Sequence, residues 1–247
     1  MTADNIYLSI LIPAYNESQR LAGTLDQTLS YLRRQSFHSE ILVVDDGSSD
    51  HTAAIAEDFV SAASPIELRV VRNDVNRGKG FSVLNGFRHA RGEVVLFTDA
   101  DLSAPIGEAD KLLAPLRSCH YDVTLGSRGL KESNIRIRQS LFRESGGKLF
   151  NLIVRSIAGL PFRDTQCGFK AFKRDASRWV FDRQSIFDFG FDAEILYLSQ
   201  KRGLRVLEVP VEWGHSEGTK MRLFSDALKM IGGLFRIRYR DWAGKYD

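Results

Sequence analysis

The feature that most constrains the fold is a regular alternation of short apolar runs with longer segments of helical pattern. The apolar runs are rich in Ile, Leu and Val and are predicted as strands: Tyr7–Ile12, Glu40–Asp45, Glu67–Arg72, Glu93–Asp99 and Tyr121–Ser127. The segments between them are predicted as helices: Ser18–Gln35, Asp50–Ala63, Gly80–Ala90 and Pro105–Arg117. Because such alternation is typical of parallel strands joined by crossover helices, the sequence predicts an α/β fold with a mostly parallel sheet.

The chain length and composition are those of one globular domain. A chain of 247 residues with 43% hydrophobic and 26% charged residues can bury a core, and it is neither disordered nor collagen-like. The net charge of +3 is small, and the basic stretches, residues 134–163 and 220–240, contain no recognisable nucleic-acid-binding module. We therefore predict a single domain over residues 1–247 and no nucleic-acid partner.

Two cysteines, Cys119 and Cys167, are too few for a disulfide framework and lack the spacing of a zinc site. Cys167 is predicted as a packed thiol rather than a nucleophile, because no partner histidine is evident. No signal peptide and no run of about 18 apolar residues is visible. We therefore predict a cytoplasmic protein without a transmembrane helix.

Polar side chains follow three of the predicted strands, at the edge where parallel sheets bind ligands. They belong to Pro13–Glu17, Asp45–Ser48 and Asp99–Asp101. Two carboxylates at positions i and i+2 after a buried strand can approach one hard cation such as Mg²⁺ or Mn²⁺, which shares its oxygen ligands with substrate phosphates. The alternative for Asp99 and Asp101 is a solvated loop.

Two further segments admit both a ligand-binding and a structural interpretation. A carboxylate of Asp45 or Asp46 can accept a hydrogen bond from a nucleobase N–H, or Ser48–Asp50 can simply cap the next helix. In Asn76–Gly80, glycines let the backbone approach a ligand and the helix start favours an anion, or the segment is only a basic helix start. The P-loop and dinucleotide fingerprints are absent, which argues against a Walker-type ATPase and a dinucleotide-dependent dehydrogenase.

Taken in order, these motifs resemble those of inverting family 2 glycosyltransferases of the GT-A fold, and within them the dolichyl-phosphate glucosyltransferase and polyprenyl-phosphate glycosyltransferase group. The segments that carry the resemblance are Pro13–Glu17, Asp45–Ser48, Asn76–Gly80, Asp99–Asp101, Gly126–Arg128, Arg163–Lys170, Phe191–Glu194 and Glu217–Lys220. The resemblance implies a Rossmann-like, mostly parallel sheet with helices on both faces. It also implies a nucleotide-binding half over about residues 6–128, an acceptor-side half over 129–220 and a C-terminal amphipathic helix over 221–242.

The same resemblance implies roles for individual residues. Those at the nucleotide are Pro13, Tyr15, Glu17, Asp45, Asp46, Lys79, Asp99 and Ala100. On this resemblance the metal ligands are Asp99 and Asp101, and the acceptor phosphate is held by Arg128, Arg138 and Arg143. The residues implied at the reacting centre are Asp101, Asp192, Glu194 and Lys220.

The activity that the resemblance implies is transfer of a hexose from a nucleoside-diphosphate sugar to a polyprenyl phosphate, and glucose is the favoured hexose. UDP-glucose is the favoured donor, GDP-mannose is the alternative, and Mg²⁺ or Mn²⁺ is the cofactor. The displacement at C1 passes through an oxocarbenium-like transition state, and the cation with Lys220 would stabilise the departing diphosphate. A phosphate acceptor is largely dianionic at neutral pH and needs no general base, whereas a hydroxyl acceptor needs one, for which Asp192 or Glu194 would be the first candidates.

The stretch Leu223–Trp242 has the pattern of an amphipathic helix. One predicted face carries Phe224, Leu228, Ile231 and Phe235, and the end of the helix carries Arg236, Arg238 and Arg240. Such a helix can lie in a membrane interface, which predicts a peripheral protein at the inner face of the membrane, or it can pack on the protein body or on a partner subunit. Two other functions stay open: transfer to a soluble or glycan hydroxyl, and a non-catalytic nucleotide-sugar-binding subunit.

Overall fold

The computed structural model describes residues 6–137, 151–214 and 223–247. Its strands are β1 (Leu8–Ala14), β2 (Ser39–Asp45), β3 (Glu67–Arg72), β4 (Val94–Thr98), β5 (Val123–Ser127), β6 (Asn134–Ile137), β7 (Phe169–Lys173), β8 (Val206–Pro210) and β9 (Glu212–Gly214). Its helices are α1 (Leu21–Leu32), α2 (Thr52–Ala62), α3 (Lys79–His89), α4 (Ala109–Arg117), α5 (residues 151–158), α6 (Arg174–Arg183), α7 (Phe191–Lys201) and α8 (Leu223–Trp242), and a 3₁₀ turn at Ile106–Glu108 precedes α4.

Seven of these strands form one sheet in the order β3-β2-β1-β4-β7-β5-β8. Every neighbouring pair is parallel except the two that involve β7, which runs antiparallel to β4 and to β5. All five predicted strands are present, and the predicted mostly parallel sheet is confirmed. Strands β6 and β9 pair separately as a short parallel ribbon.

Helices cover both faces of the sheet because both faces of its strands are apolar. Along β1, Ile10 and Ile12 share a core with α1 and α4 on one face, whereas Leu11 shares a core with α3, α6 and α7 on the other. The strand period of two sends successive side chains to opposite faces. All three side chains are fully buried, as expected for a parallel strand that is covered on both sides.

The predicted amphipathic helix is present as α8, and it has two apolar faces. Met230, Leu234 and Ile237 are buried on the side that faces α7. Over residues 228–242, where the structure describes the side chains of α8, the exposed large apolar ones are Leu228, Phe235, Tyr239 and Trp242. The helix therefore packs on the protein body through one face, while a second apolar face that includes part of the predicted one meets solvent. Within the described residues, no helix combines the length and the hydropathy that a transmembrane span requires.

The carboxyl ends of β1, β2 and β4 lie side by side, so the three polar segments that follow them share one edge of the sheet. Ala14 is in register with Asp45, and the N–H of Asp46 donates to the carbonyl of Ala14 at 2.9 Å. The N–H of Asn16 donates to Oγ of Ser48 at 2.9 Å, which joins the loop after β1 to the loop after β2. These two loops form one continuous wall beside the end of β4.

Candidate active site

A tight turn at the end of β4 carries Asp99 and Asp101. The N–H of Leu102 donates to the carbonyl of Asp99 at 3.1 Å, and Leu102 adopts a positive φ of 45° to close the turn. The N–H of Ser103 donates to Oδ1 of Asp101 at 2.9 Å. The turn thus holds both carboxylates at the edge of the sheet where β1 and β2 also end.

The carboxylate of Asp99 has a protein neighbour at each of its oxygens. Lys79, the first residue of α3, places Nζ 2.5 Å from Oδ1 of Asp99. On the other side, a Cβ built on Gly168 would come within 2.1 Å of Oδ2, so a larger residue at position 168 would have to displace the carboxylate. Burial by itself would lower the pKa of Lys79, but the charges of Asp99, Asp192 and Asp101 outweigh it and raise the pKa above its ordinary value. Lys79 is therefore a charged side chain among three carboxylates.

Asp192 lies in the first turn of α7 and forms a buried ion pair with Lys170 of β7. Lys170 is fully buried and also donates to the carbonyl of Cys167 at 2.6 Å. Burial raises the pKa of Asp192, although the positive charges of Lys170 and Lys79 oppose the change. Cys167 is buried too, and burial raises the pKa of its thiol to about 12, which confirms a packed thiol.

Glu194, two positions after Asp192, is engaged elsewhere. Its carboxylate accepts bonds from the N–H and the hydroxyl of Ser185 at 2.9 and 2.6 Å, and from the N–H of Ile186 at 2.7 Å. The hydroxyl of Tyr246 donates to the same carboxylate at 2.5 Å. These bonds engage both oxygens of the Glu194 carboxylate and tie the segment before α7 to Tyr246. The role at the reacting centre that the resemblance implies for Glu194 stays a prediction.

Gly78, before the start of α3, accommodates protein rather than a ligand. Its φ is 96°, and a Cβ at this position would lie 2.4 Å from the carbonyl oxygen of Phe187. The N–H groups of Arg77 and Gly78 donate to the carboxylate of Asp46 at 3.0 and 2.8 Å. The anion at this helix start is thus a side chain of the protein, so Gly78 and the two N–H groups have structural roles, whereas Lys79 of the same segment faces Asp99.

The other predicted nucleotide residues are Pro13, Tyr15, Glu17, Asp45, Asp46 and Ala100, and all of them lie at the same edge of the sheet. Tyr15 is the most exposed of the set, at 38%. Asp46 is buried, and Nδ2 of Asn73 donates to it at 2.7 Å in addition to the two loop N–H groups. The carbonyl of Ala100 accepts a hydrogen bond from the hydroxyl of Thr24 at 2.6 Å, which attaches the Asp99–Asp101 turn to α1. The bonds of Asp46 hold the loop before α3 in place, whereas the side chain of Tyr15 is more exposed to solvent.

Arg128, at the end of β5, is paired with a buried carboxylate to which sequence reasoning assigned no role. Its backbone N–H, Nε and Nη2 donate to Asp164 at 3.0, 2.6 and 2.9 Å, and its guanidinium lies 5.3 Å from the ring of Trp213. Burial would raise the pKa of Asp164, but Arg128 outweighs it and holds the pKa below its usual range. A guanidinium has five donor hydrogens, so Arg128 has donors beyond those that Asp164 uses.

The comparison with known proteins agrees with this geometry, since residues 9–181 match the description "Glycosyl transferase family 2". The chain belongs to glycosyltransferase family 2. Relatives named dolichyl-phosphate beta-glucosyltransferase are similar over most of its length. The one from Dictyostelium discoideum is 34% identical and covers 96% of this chain and 75% of its own. The relative from Trichomonas vaginalis is 37% identical, over 94% of this chain and 71% of its own. The relative from Homo sapiens is 33% identical, over 97% of this chain and 77% of its own.

Solved structures share the fold of this family 2 glycosyltransferase at lower identity. Glucosyl-3-phosphoglycerate synthase from Mycobacterium tuberculosis aligns with a TM-score of 0.67 at 20% identity, over 94% of this chain and 80% of its own. Mannosyl-3-phosphoglycerate synthase from Rubrobacter xylanophilus aligns with a TM-score of 0.63 at 19% identity, over 97% of this chain and 75% of its own. The predicted GT-A fold is confirmed.

The donor atoms of this glycosyltransferase fit a hard divalent cation. Asp99 and Asp101 offer carboxylate oxygens, and the described part of the chain holds no group of three or more His, Cys, Asp or Glu that could bind a metal by itself. Mg²⁺ is usually bound through one or two carboxylates together with substrate phosphates and water. Two carboxylates therefore suit a cation shared with a donor diphosphate. The predicted Arg138, Arg143 and Lys220 lie outside the described residues.

Proposed function

We propose that this glycosyltransferase moves glucose from UDP-glucose to a polyprenyl phosphate with inversion at C1, using Mg²⁺ or Mn²⁺. The observation that carries the proposal is the placement of the Asp99–Asp101 turn, Lys79 and the Arg128–Asp164 pair at one edge of the sheet. Strands β4 and β5 both run antiparallel to β7, so they end at the same edge. The relatives that are 33–37% identical over most of the chain are named dolichyl-phosphate beta-glucosyltransferases, which supports the sugar and the acceptor. A protein of the same fold has been solved with Mn²⁺ and UDP, which is compatible with the cation and the nucleotide.

In this proposal each group acts on a different part of the substrates. Asp99 and Asp101 hold the cation, which when bound supplies positive charge to the departing diphosphate. Lys79 adds a second positive charge beside Asp99. Arg128, oriented by Asp164, binds the acceptor phosphate with the donors that Asp164 does not use, because guanidinium geometry suits phosphate oxygens.

The contacts of the other two carboxylates favour a phosphate acceptor over a hydroxyl. A hydroxyl needs a general base within reach of the proton that is removed. Asp192 is already paired with Lys170, and Glu194 is fully buried with Tyr246 bound to it. A phosphate monoester has a second pKa of about 6 and attacks as a dianion without such a base.

We also propose that α8 holds the enzyme on an anionic membrane surface, where a polyprenyl phosphate would be embedded. Its exposed apolar residues include Leu228, Phe235, Tyr239 and Trp242, and its exposed basic residues include Lys229, Arg236 and Arg238. Aromatic and aliphatic side chains next to lysine and arginine are typical of helices that lie in the headgroup region of a bilayer. The opposite face of α8 packs toward α7, so the exposed face is the one that can meet lipid.

The test is transfer of labelled glucose from UDP-glucose to polyprenyl phosphate in anionic vesicles supplied with Mn²⁺. We expect the label in the lipid phase as a β-linked glucosyl phosphate, and none when the cation is chelated. A water-soluble sugar serves as the hydroxyl acceptor, and GDP-mannose as the alternative donor. Equal turnover with the soluble sugar would contradict the phosphate acceptor, and binding of UDP-glucose without turnover on any acceptor would favour a nucleotide-sugar-binding subunit.

A further inference from the structure

The ammonium group of Lys79 lies against a carboxylate oxygen of Asp99, one of the two proposed metal ligands. Nζ lies 2.5 Å from Oδ1 of Asp99, and the Lys79 side chain is only 20% exposed. Lys79 therefore neutralises part of the negative charge at the end of β4 before any substrate or metal is bound.

The other carboxylate oxygen of Asp99, Oδ2, lies so close to Gly168 that a Cβ there would be 2.1 Å away. One oxygen of Asp101 is also engaged, since the N–H of Ser103 donates to it at 2.9 Å. A cation that approaches Oδ1 of Asp99 would therefore meet the ammonium group of Lys79.

We infer that Lys79 is an internal counter-ion that makes binding of the divalent cation depend on the donor diphosphate; the inference rests on the proposed function. Two positive charges about 4 Å apart repel each other, and the repulsion grows as the site becomes less polar than water. The flexible stem of a lysine lets its ammonium move from Asp99 to the diphosphate, which replaces the lost partner. Because such coupling is reciprocal, the cation raises the affinity for the diphosphate by the same factor.

The test measures Mn²⁺ binding by electron paramagnetic resonance, with and without UDP and without any turnover. For the wild-type protein, UDP should tighten Mn²⁺ binding about tenfold or more. Lys79→Met removes the charge and keeps most of the stem, so it should bind Mn²⁺ alone about tenfold more tightly than the wild type and gain less from UDP. Lys111→Met removes one charge from an exposed pair with Glu108 and is the matched control, expected to behave as the wild type.

A second variant keeps the test decisive if Lys79→Met does not fold. Lys79→Gln is also neutral and can still donate a hydrogen bond to Asp99, and circular dichroism identifies the folded variants. Equal affinity for Mn²⁺ alone in the wild type and in a folded neutral variant would overturn the inference and leave the proposed function standing. If wild-type protein saturated with UDP binds no Mn²⁺, the metal site of the proposed function is contradicted as well.

Discussion

Gly168 lies against the carboxylate of Asp99, on the side opposite Lys79. A Cβ at position 168 would be 2.1 Å from Oδ2 and 2.6 Å from Cγ of Asp99, so Gly168→Ala must displace the carboxylate. A shift of about 1 Å in a catalytic group can cost about 100-fold in rate. We expect Gly168→Ala to lower kcat/KM for UDP-glucose by about that factor.

The matched control for this substitution is Gly107→Ala. Gly107 belongs to the 3₁₀ turn that follows the same loop, and a Cβ there would meet no atom within 4 Å. The control should keep the wild-type kcat/KM. If both alanine variants were equally active, the position of Asp99 would not depend on Gly168.

Asp164 is fully buried and holds the guanidinium of Arg128. Removing one partner of a buried ion pair costs about 3–5 kcal/mol, because the other charge stays buried without compensation. We expect Asp164→Asn to lower the free energy of unfolding by about 3 kcal/mol, since Arg128 is partly exposed and its solvation offsets some of the loss. Urea denaturation measures this change, and the KM for polyprenyl phosphate should rise as Arg128 loses its orientation.

The stability difference between the wild type and Asp164→Asn should depend on pH with a defined sign. Burial would raise the pKa of Asp164, but Arg128 holds it below the ordinary value. The stabilisation is therefore complete above the unfolded-state pKa of about 3.9 and is lost as the pH falls toward the lower folded-state pKa. The difference should be constant near neutral pH and shrink below about pH 4. A difference that persists unchanged into acid would contradict an ionised Asp164.

Among the elements, β1, β2, β4 and β5 are predictable from sequence because buried parallel strands are nearly continuous apolar runs. The more exposed edge strand β3 is predictable from its place in the alternation of strands and helices. Strand β7 lies outside that alternation, and two of its five residues are lysines, Lys170 and Lys173. Lys170 is buried because Asp192, 22 positions later in the chain, pairs with it. Such a pair forms only when α7 has packed on the sheet, and no local pattern contains that information.

Some residues of the candidate site can also be predicted from sequence, whereas others are recognised only from the packed structure. Asp99 and Asp101 can be predicted because they follow a strand that the apolar pattern identifies. Gly168 and Asp164 acquire their roles from contacts with residues more than one loop away, Asp99 and Arg128. The segment Phe191–Glu194 can be recognised in the sequence, but only the packed structure shows the carboxylate of Glu194 bonded to Tyr246.

Helix α8 presents Phe235 and Trp242, which are 61% and 84% exposed, away from α7. Burying a large apolar side chain contributes about 1.5–3 kcal/mol, so Phe235→Glu and Trp242→Glu should each weaken binding to anionic vesicles at least about tenfold. Co-sedimentation measures this binding. Val60→Glu in α2, at a position 45% exposed, is the matched control and should bind as the wild type. Unchanged binding of both α8 variants would assign this face to a partner other than lipid.

For the whole molecule, the loops of the candidate site come from adjacent strands of one sheet, so a ligand there should stabilise the entire fold. A ligand at 100 times its Kd adds about 2.7 kcal/mol, which corresponds to about 5–10 °C in Tm for a chain of this size. We expect UDP with Mn²⁺ to raise Tm by about this amount. UDP alone and Mn²⁺ alone should each raise Tm by less. On the inference above, Lys79 stays paired with Asp99 until a diphosphate replaces Asp99 as its partner.

Asp101→Asn separates the cation from the nucleotide in this thermal-shift measurement. The side-chain oxygen of Asn can still accept the N–H of Ser103, so the turn keeps its shape while one negative charge is lost. The shift with UDP and Mn²⁺ should then fall to that with UDP alone. GDP in place of UDP reports on the base, and a smaller shift supports the uridine nucleotide. If Asp101→Asn gave the full shift, the cation would bind elsewhere, and the turn after β4 would have no part in holding the donor diphosphate.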